Sequence, residues 1–281
     1  MTEALVLGGG GVGGIAWTTG LLAGLADAGR DVSGAGLVVG TSAGSTVAAQ
    51  LGSGLALGEL YARQVEPGLQ AAEIPVEVDL EAYAAEFGRL LGGAKSVLEM
   101  RRAVGRYALD ARTVPEAERR AVIASRLPSP AWPADRTLRI VAVDAGTGEP
   151  VVFDRASGVE LVDAVAASCA VPGVWPPATV GGRRYIDGGV RSPDNADYAA
   201  GASRVLVVVP LGEAELFPTE TPLRKAVADL RAAGAEVAVV APDEASRAAI
   251  GVNPLDPDTR RPAAEAGRAQ GRGTGIAWSR S

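Results

Sequence analysis

The sequence predicts an α/β fold: a three-layer α/β/α arrangement with a mainly parallel central sheet and a helical insertion. Three observations lead there. Short apolar runs at 4–7, 36–40 and 204–210 read as strands covered on both faces, as parallel strands are. The first two are each followed by a tight turn and then by helical spacing, giving two strand–turn–helix units in about the first fifty residues. Between 56 and about 136 the pattern is helical, with few β-branched runs, before α/β alternation resumes.

Taken in order, residues 4–7 end in Gly8-Gly9-Gly10-Gly11, a strand running into a turn. Over 14–28, Ile15, Leu21, Leu22 and Leu25 fall near helical spacing, and Gly29 stands at a C′ position. A second strand follows at 36–40 and a helix at 45–51. In the insertion, helical patterns at 59–65, 80–91, 94–107 and 115–126 are punctuated by Gly92-Gly93 and Pro128-Ser129-Pro130. Strands at 137–144 and 150–153 flank Gly146-Thr147-Gly148, a hairpin turn. Residues 161–167 are helical up to Pro172, 204–210 form a strand, 223–233 a helix and 236–241 a further strand. A last short helix is expected at 263–270, within a short tail from about 254. We expect one domain over 1–281, and no internal repeat is present.

Composition narrows the chemistry. The 281 residues include no histidine, which removes imidazole-based triads and His-ligated zinc or haem. A single cysteine, Cys169, removes Cys-cluster metal sites and any internal disulfide; a buried structural thiol is expected there. No metal and no cofactor are expected. A net charge of −6 gives no basic face for nucleic acid. The first residues lack a basic segment and a long apolar stretch, and no apolar run reaches membrane-spanning length, so a cytoplasmic location is expected.

Three segments carry chemistry. Gly40-Thr41-Ser42-Ala43-Gly44 is a G-x-S-x-G between a strand and a helix, where glycines permit the strained turn that lifts a serine hydroxyl above a sheet. The run from Gly8 to Gly14 can point backbone N–H groups together at an anion, helped by the following helix. It reads either as an oxyanion hole or as a dinucleotide fingerprint, since Gly9, Gly11 and Gly14 fit G-x-G-x-x-G. The fingerprint wants an acid at the end of the second strand, but Asp31 precedes that strand, so this reading loses. Tyr185-Ile186-Asp187-Gly188-Gly189 holds an aspartate on a sharp turn; alone, it reads as an Asp-Gly hairpin.

Together these segments resemble the patatin-like phospholipase family. The resemblance rests on Gly9-Gly10-Gly11-Val12-Gly13-Gly14, on Gly40-Thr41-Ser42-Ala43-Gly44, on Asp187-Gly188-Gly189, and on residues 163–173 leading to Pro172-Gly173. It covers the first fifty or so residues and about 137–210 well. It implies a serine acyl hydrolase acting on lipid or related carboxylic esters through a Ser–Asp dyad. Ser42 would be the nucleophile and Asp187 the base. Gly9, Gly10 and Gly11 would form the oxyanion hole, Gly10 and Gly11 giving N–H groups and Gly9 shaping the turn. Gly14, Gly40, Gly44, Gly188 and Gly189 would support the motifs. The implied partner is a lipid or acyl ester, with peripheral membrane contact allowed. One departure stands out: the family usually has Arg or Lys where this chain has Gly13. That departure favours the rival reading, a weak or inactive relative that binds a lipid or acyl ligand.

A carboxylate near its ordinary pKa of about 4 is a poor base, so Asp187 should be partly desolvated. The helical middle is expected to cap the site and line an acyl pocket through Leu90, Leu91, Val97, Leu98 and Met100, with ordinary helix packing as the equal alternative. Trp17 and Trp175 are expected in the core or pocket lining, whereas Trp132 and Trp278 carry no such expectation. Asp144-Ala145-Gly146-Thr147-Gly148-Glu149 lacks calcium-loop spacing and reads as a hairpin turn, and Arg183-Arg184 as a solvated turn.

Overall fold

The computed structural model describes residues 2–76, 79–213 and 217–276; Trp278 lies outside them. The first half contains β1 (Glu3–Leu7), α1 (Gly11–Asp27), β2 (Leu37–Thr41), α2 (Ala43–Leu51) and α3 (Leu57–Val65), then α4 (Leu80–Gly93), α5 (Val97–Asp110) and α6 (Glu116–Arg126). The second half contains β3 (Thr137–Asp144), β4 (Pro150–Phe153), α7 (Leu161–Ser168), β5 (Ala178–Val180), β6 (Arg183–Asp187), β7 (Arg204–Val208), α8 (Leu223–Ala232), β8 (Glu236–Val240), α9 (Glu244–Ile250) and α10 (Arg260–Gly273).

The strands make one mixed sheet in the order β5-β6-β3-β2-β1-β7-β8, with β4 also paired to β3. The pairings β1–β2, β1–β7, β2–β3 and β7–β8 are parallel, and those of β3 with β4 and β6, and of β5 with β6, are antiparallel. Alternation along the strands sends side chains to two apolar layers. Leu5, Leu7, Val38, Leu206 and Val208 face Trp17, Leu21 and Leu25 of α1 together with α2, α7 and α10. Val6, Val39, Val141 and Val207 face Leu223, Val227 and Leu230 of α8. Burying each such side chain is worth about 1.5–3 kcal/mol, which is why the central strands read as unbroken apolar runs.

α1 and α10 touch backbone to backbone. An added Cβ at Gly20 or Gly24 would strike the carbonyls of Ala264 and Arg268, and one at Gly267 or Gly271 those of Trp17 and Leu21. The Trp17 indole N–H closes the contact by donating to Gln270 Oε1 at 3.1 Å. The expected short helix at 263–270 is therefore longer and integral to the helical layer. α9 and β5 were not expected as elements, and of β6 only a short strand ending at Asp187 was.

The helical middle packs on the end of the sheet. Phe87, Met100, Val104 and Ala108 meet Val143, Ile186 and Val190, with Leu90, Leu91 and Val97 at the margin. Of the expected acyl-pocket residues, Met100 is buried in this core and Leu90, Leu91 and Val97 pack against its margin, the alternative the sequence left open, while Leu98 is not part of it. No helix among the described residues is long and apolar enough to cross a membrane.

Candidate active site

Strand β2 delivers Ser42 and the turn strains it. Its backbone sits at φ 51° and ψ −118°, a left-handed value that a serine adopts only when its surroundings compel it, at about 1–3 kcal/mol. The surroundings are explicit. A Cβ on Gly44 would collide with the Leu7 carbonyl, and one on Gly40 would lie 2.6 Å from Ser45 Cα, so the strand and helix close to backbone contact on both sides of Ser42. The Ser42 N–H donates to Ser168 Oγ at 2.9 Å, and that hydroxyl donates to the Val141 carbonyl at 2.6 Å. The Ser42 carbonyl accepts Ser45 Oγ at 2.6 Å and the Cys169 thiol at 3.2 Å. Cys169 is buried beneath the turn, as expected of a structural thiol.

Strand β3 sets the second residue. Thr41 pairs with Val141 on one neighbour, and Ala142 pairs with Asp187 on another. The residues that follow Thr41 and end β6 are thereby brought to the same level of the sheet. Asp187 Oδ1 accepts the Gly189 N–H at 2.7 Å, while Oδ2 is buried without a hydrogen-bond partner among the described residues. Burial pushes this carboxyl up to about 6, against the opposing pulls of the adjacent Ser42 hydroxyl, the Gly189 N–H and the Arg119 charge. Gly188 presses on the Val141 carbonyl so closely that no Cβ would fit.

The glycine run supplies the wall. Gly9 lies over the serine: a Cβ there would sit 3.5 Å from Ser42 Cβ. Its N–H is taken by the Pro193 carbonyl at 2.8 Å, so Gly9 contributes shape and no donor. Among the described residues the N–H groups of Gly10 and Gly11 meet no acceptor. Gly14 packs against Pro210 and Ala43 and donates to the Gly10 carbonyl at 2.7 Å.

Ser42 opens on a cavity of about 20 Å³, lined also by Gly11, Ile74, Arg119, Trp175 and Leu255. That is room for about one water. A second cavity of about 480 Å³ adjoins it, sharing Ile74 and Trp175 and adding Tyr83, Tyr107, Val114 and Val174. Trp175 and the helical middle do line pocket surface, through residues of that middle other than those expected.

A family model described as patatin-like phospholipase matches residues 5–200, which spans the glycine run, the Ser42 turn and the Asp187 turn. The chain belongs to the patatin-like phospholipase family. No curated protein matches it. Among solved structures it is similar to VipD from Legionella pneumophila, with 15% identity over 67% of this chain and 46% of that one, at a TM-score of 0.38. It is similar also to the type III effector protein ExoU, with 18% identity over 96% of this chain and 53% of that one, at a TM-score of 0.39. The chain spans about half the length of these two proteins.

For a patatin-like phospholipase, Gly13 is explained by what faces it. Its N–H donates to the Pro254 carbonyl at 2.9 Å, and a Cβ would meet Thr259 Oγ1 at 3.0 Å. The stretch before α10 thus fills the space a longer side chain would need. Sequence reasoning missed four residues here. Ser168 braces the serine turn from within a segment quoted only for its proline. Asn195, at φ 53°, donates Nδ2 to Thr41 Oγ1 at 3.0 Å and to the Gly188 carbonyl at 3.3 Å, tying the two motifs together. Only the run of turn-forming residues at Ser192-Pro193-Asp194-Asn195 hinted at it. Arg119 and Leu255 reach the site from elements whose sequence carries no motif.

Of the signals set aside, Asp144 Oδ1 accepts the N–H groups of Gly146 and Thr147 at 3.0 and 2.8 Å, closing the β3–β4 turn. Arg183 reaches Asp144 at 3.2 Å, and Arg184 donates to the Pro177 carbonyl at 2.9 Å.

Proposed function

We propose that this chain is a serine acyl hydrolase of lipid or related carboxylic esters, of phospholipase A, lysophospholipase or esterase type, using Ser42 and Asp187. The observation that carries the reading is a buried aspartate with an unpartnered oxygen beside a serine on a strained turn. Asp187 Oδ2 accepts the Ser42 proton as Ser42 Oγ attacks the ester carbonyl, and the N–H groups of Gly10 and Gly11 receive the charge on the carbonyl oxygen. Protonated Asp187 gives that proton to the leaving alkoxide as the C–O bond breaks. A water, deprotonated by Asp187, then attacks the acyl-enzyme and Ser42 leaves with the proton. Desolvation makes the carboxylate a stronger base, which an enzyme without histidine needs. The acyl chain would occupy the larger cavity once Ile74 and Trp175 part.

Labelling by a fluorophosphonate and hydrolysis of p-nitrophenyl esters test this. Both should vanish in Ser42→Ala, and Asp187→Asn should lose activity by several orders of magnitude. Unchanged hydrolysis in both variants would refute the dyad. The small cavity at Ser42 and the glycine at position 13 favour a second reading, an inactive relative that binds an acyl ligand. Absence of labelling in the wild-type protein, with retained binding of a fatty acyl ester, would decide for it.

A further inference from the structure

Beside Ser42 lies a buried charge cluster. Glu73 is met by Arg126 of α6, at 2.9 Å to Oε1 and 2.5 Å to Oε2, and by Arg260 of α10 at 2.6 Å to Oε1. Those bonds occupy both carboxylate oxygens. The third arginine, Arg119 of α6, comes only to 3.8 Å, an ion-pair distance without a hydrogen bond. All four side chains are less than one-tenth exposed. Arg119 Nε and Nη1 are buried with no acceptor among the described residues. Its guanidinium carbon stacks 3.7 Å above the Trp175 ring, which fixes the plane of the fork while leaving its in-plane donors open. Burial and the neighbouring Arg126 charge bring its pKa down to about 10, so it stays charged at neutral pH.

The charges do not balance. Three guanidinium groups face the single Glu73 carboxylate, and the next anion is Asp187, which becomes neutral whenever it holds the serine proton. A buried cation without a partner is costly unless something arrives to pair with it. Arg119 lines the same cavity as Ser42. A buried guanidinium with unpartnered donors supplies the charge and the hydrogen bonds that attract a phosphate or carboxylate.

We propose that Arg119 is a specificity-determining residue that receives an anionic oxygen group, phosphate or carboxylate, carried by the ester substrate a few atoms from the scissile carbonyl. The proposal rests on Ser42 acting at this cavity. It would make the chain prefer anionic esters to neutral ones of equal chain length.

Three probes with one acyl chain test it: oleoyl glycerol, oleoyl glycerol 3-phosphate and oleoyl glycerate. The wild-type protein should favour at least one anionic probe in kcat/KM by tenfold or more, and whichever it favours identifies phosphate or carboxylate as the group. Arg119→Gln should lower the ratio of kcat/KM on that probe to kcat/KM on oleoyl glycerol by about 10- to 100-fold, chiefly through KM on the anionic probe. Arg119→Lys, which keeps the charge without the fork, should fall between. No anionic preference in the wild type, or an equal loss on all three probes, would overturn the proposal. Calorimetric binding of the two anionic probes to Ser42→Ala, with and without Arg119→Gln, separates this from failure of the hydrolytic reading. Arg119-dependent binding without turnover would keep the anion site and remove the hydrolase, while turnover without anion preference would do the reverse. Thermal unfolding of each variant shows that a lost preference is not lost folding.

Discussion

A carboxyl whose pKa is raised by burial ties activity and stability to pH in opposite directions. Asp187 rises from 3.8 to about 6, so its basic form grows in between about pH 5 and 7. We expect kcat/KM to increase about tenfold per pH unit below pH 6 and to level off above it, with no imidazole inflection, in a pH–rate profile on a neutral ester. For stability the sign reverses. The unfolded chain releases this proton first, so the favourable contribution is complete below pH 4 and is lost as pH rises through 6. Asp187→Asn should therefore raise the unfolding free energy at pH 8 by an amount on the order of 2–3 kcal/mol and leave it nearly unchanged at pH 4, as urea titrations would show. Ser168→Ala removes the acceptor of the Ser42 N–H and should lower kcat more than KM, by about 10-fold or more, since the turn it braces presents the proposed nucleophile. Ser42 and Asp187 were legible because glycine spacing writes turn geometry directly into sequence. Ser168, Asn195 and Arg119 were not, because their roles come from partners far along the chain.

At the scale of elements, the strands covered on both faces were readable as apolar runs, and β1, β2, β7 and β8 lie close to their expected places. The β5–β6 hairpin was harder. Its outward residues Thr179, Arg183 and Arg184 break the apolar pattern, and only the approach to Asp187 showed a strand. The helix expected at α10 ran through Gly267 but stopped short of Gly271 and the Gly-rich end. In the structure Gly267 and Gly271 are the contact surface with α1. Gly24→Val should accordingly cost about 3 kcal/mol or more in urea unfolding, because backbone on both helices would have to separate, whereas Gly273→Ala, which meets nothing, should be neutral or slightly stabilising.

For the whole molecule, the family match ends at residue 200, yet the site does not. Pro254 caps the start of α1 and Leu255 reaches into the cavity of Ser42. Leu255→Ala should enlarge that cavity and raise kcat/KM on p-nitrophenyl octanoate relative to acetate by about threefold to tenfold; an unchanged ratio would mean that Leu255 does not limit the acyl chain.

The pairing of β3 with both β2 and β6 also bears on how the chain acquires its activity. Ser42 and Asp187 lie about half the chain apart, and β3, paired with both β2 and β6, sets the level at which the two meet. Local turns and helices form fast, but contacts across such a loop wait for the rest of the chain. Catalytic competence should then be among the last properties recovered on refolding, lagging behind helical circular dichroism. A chain emerging from synthesis should lack the proposed activity until β6 has been made.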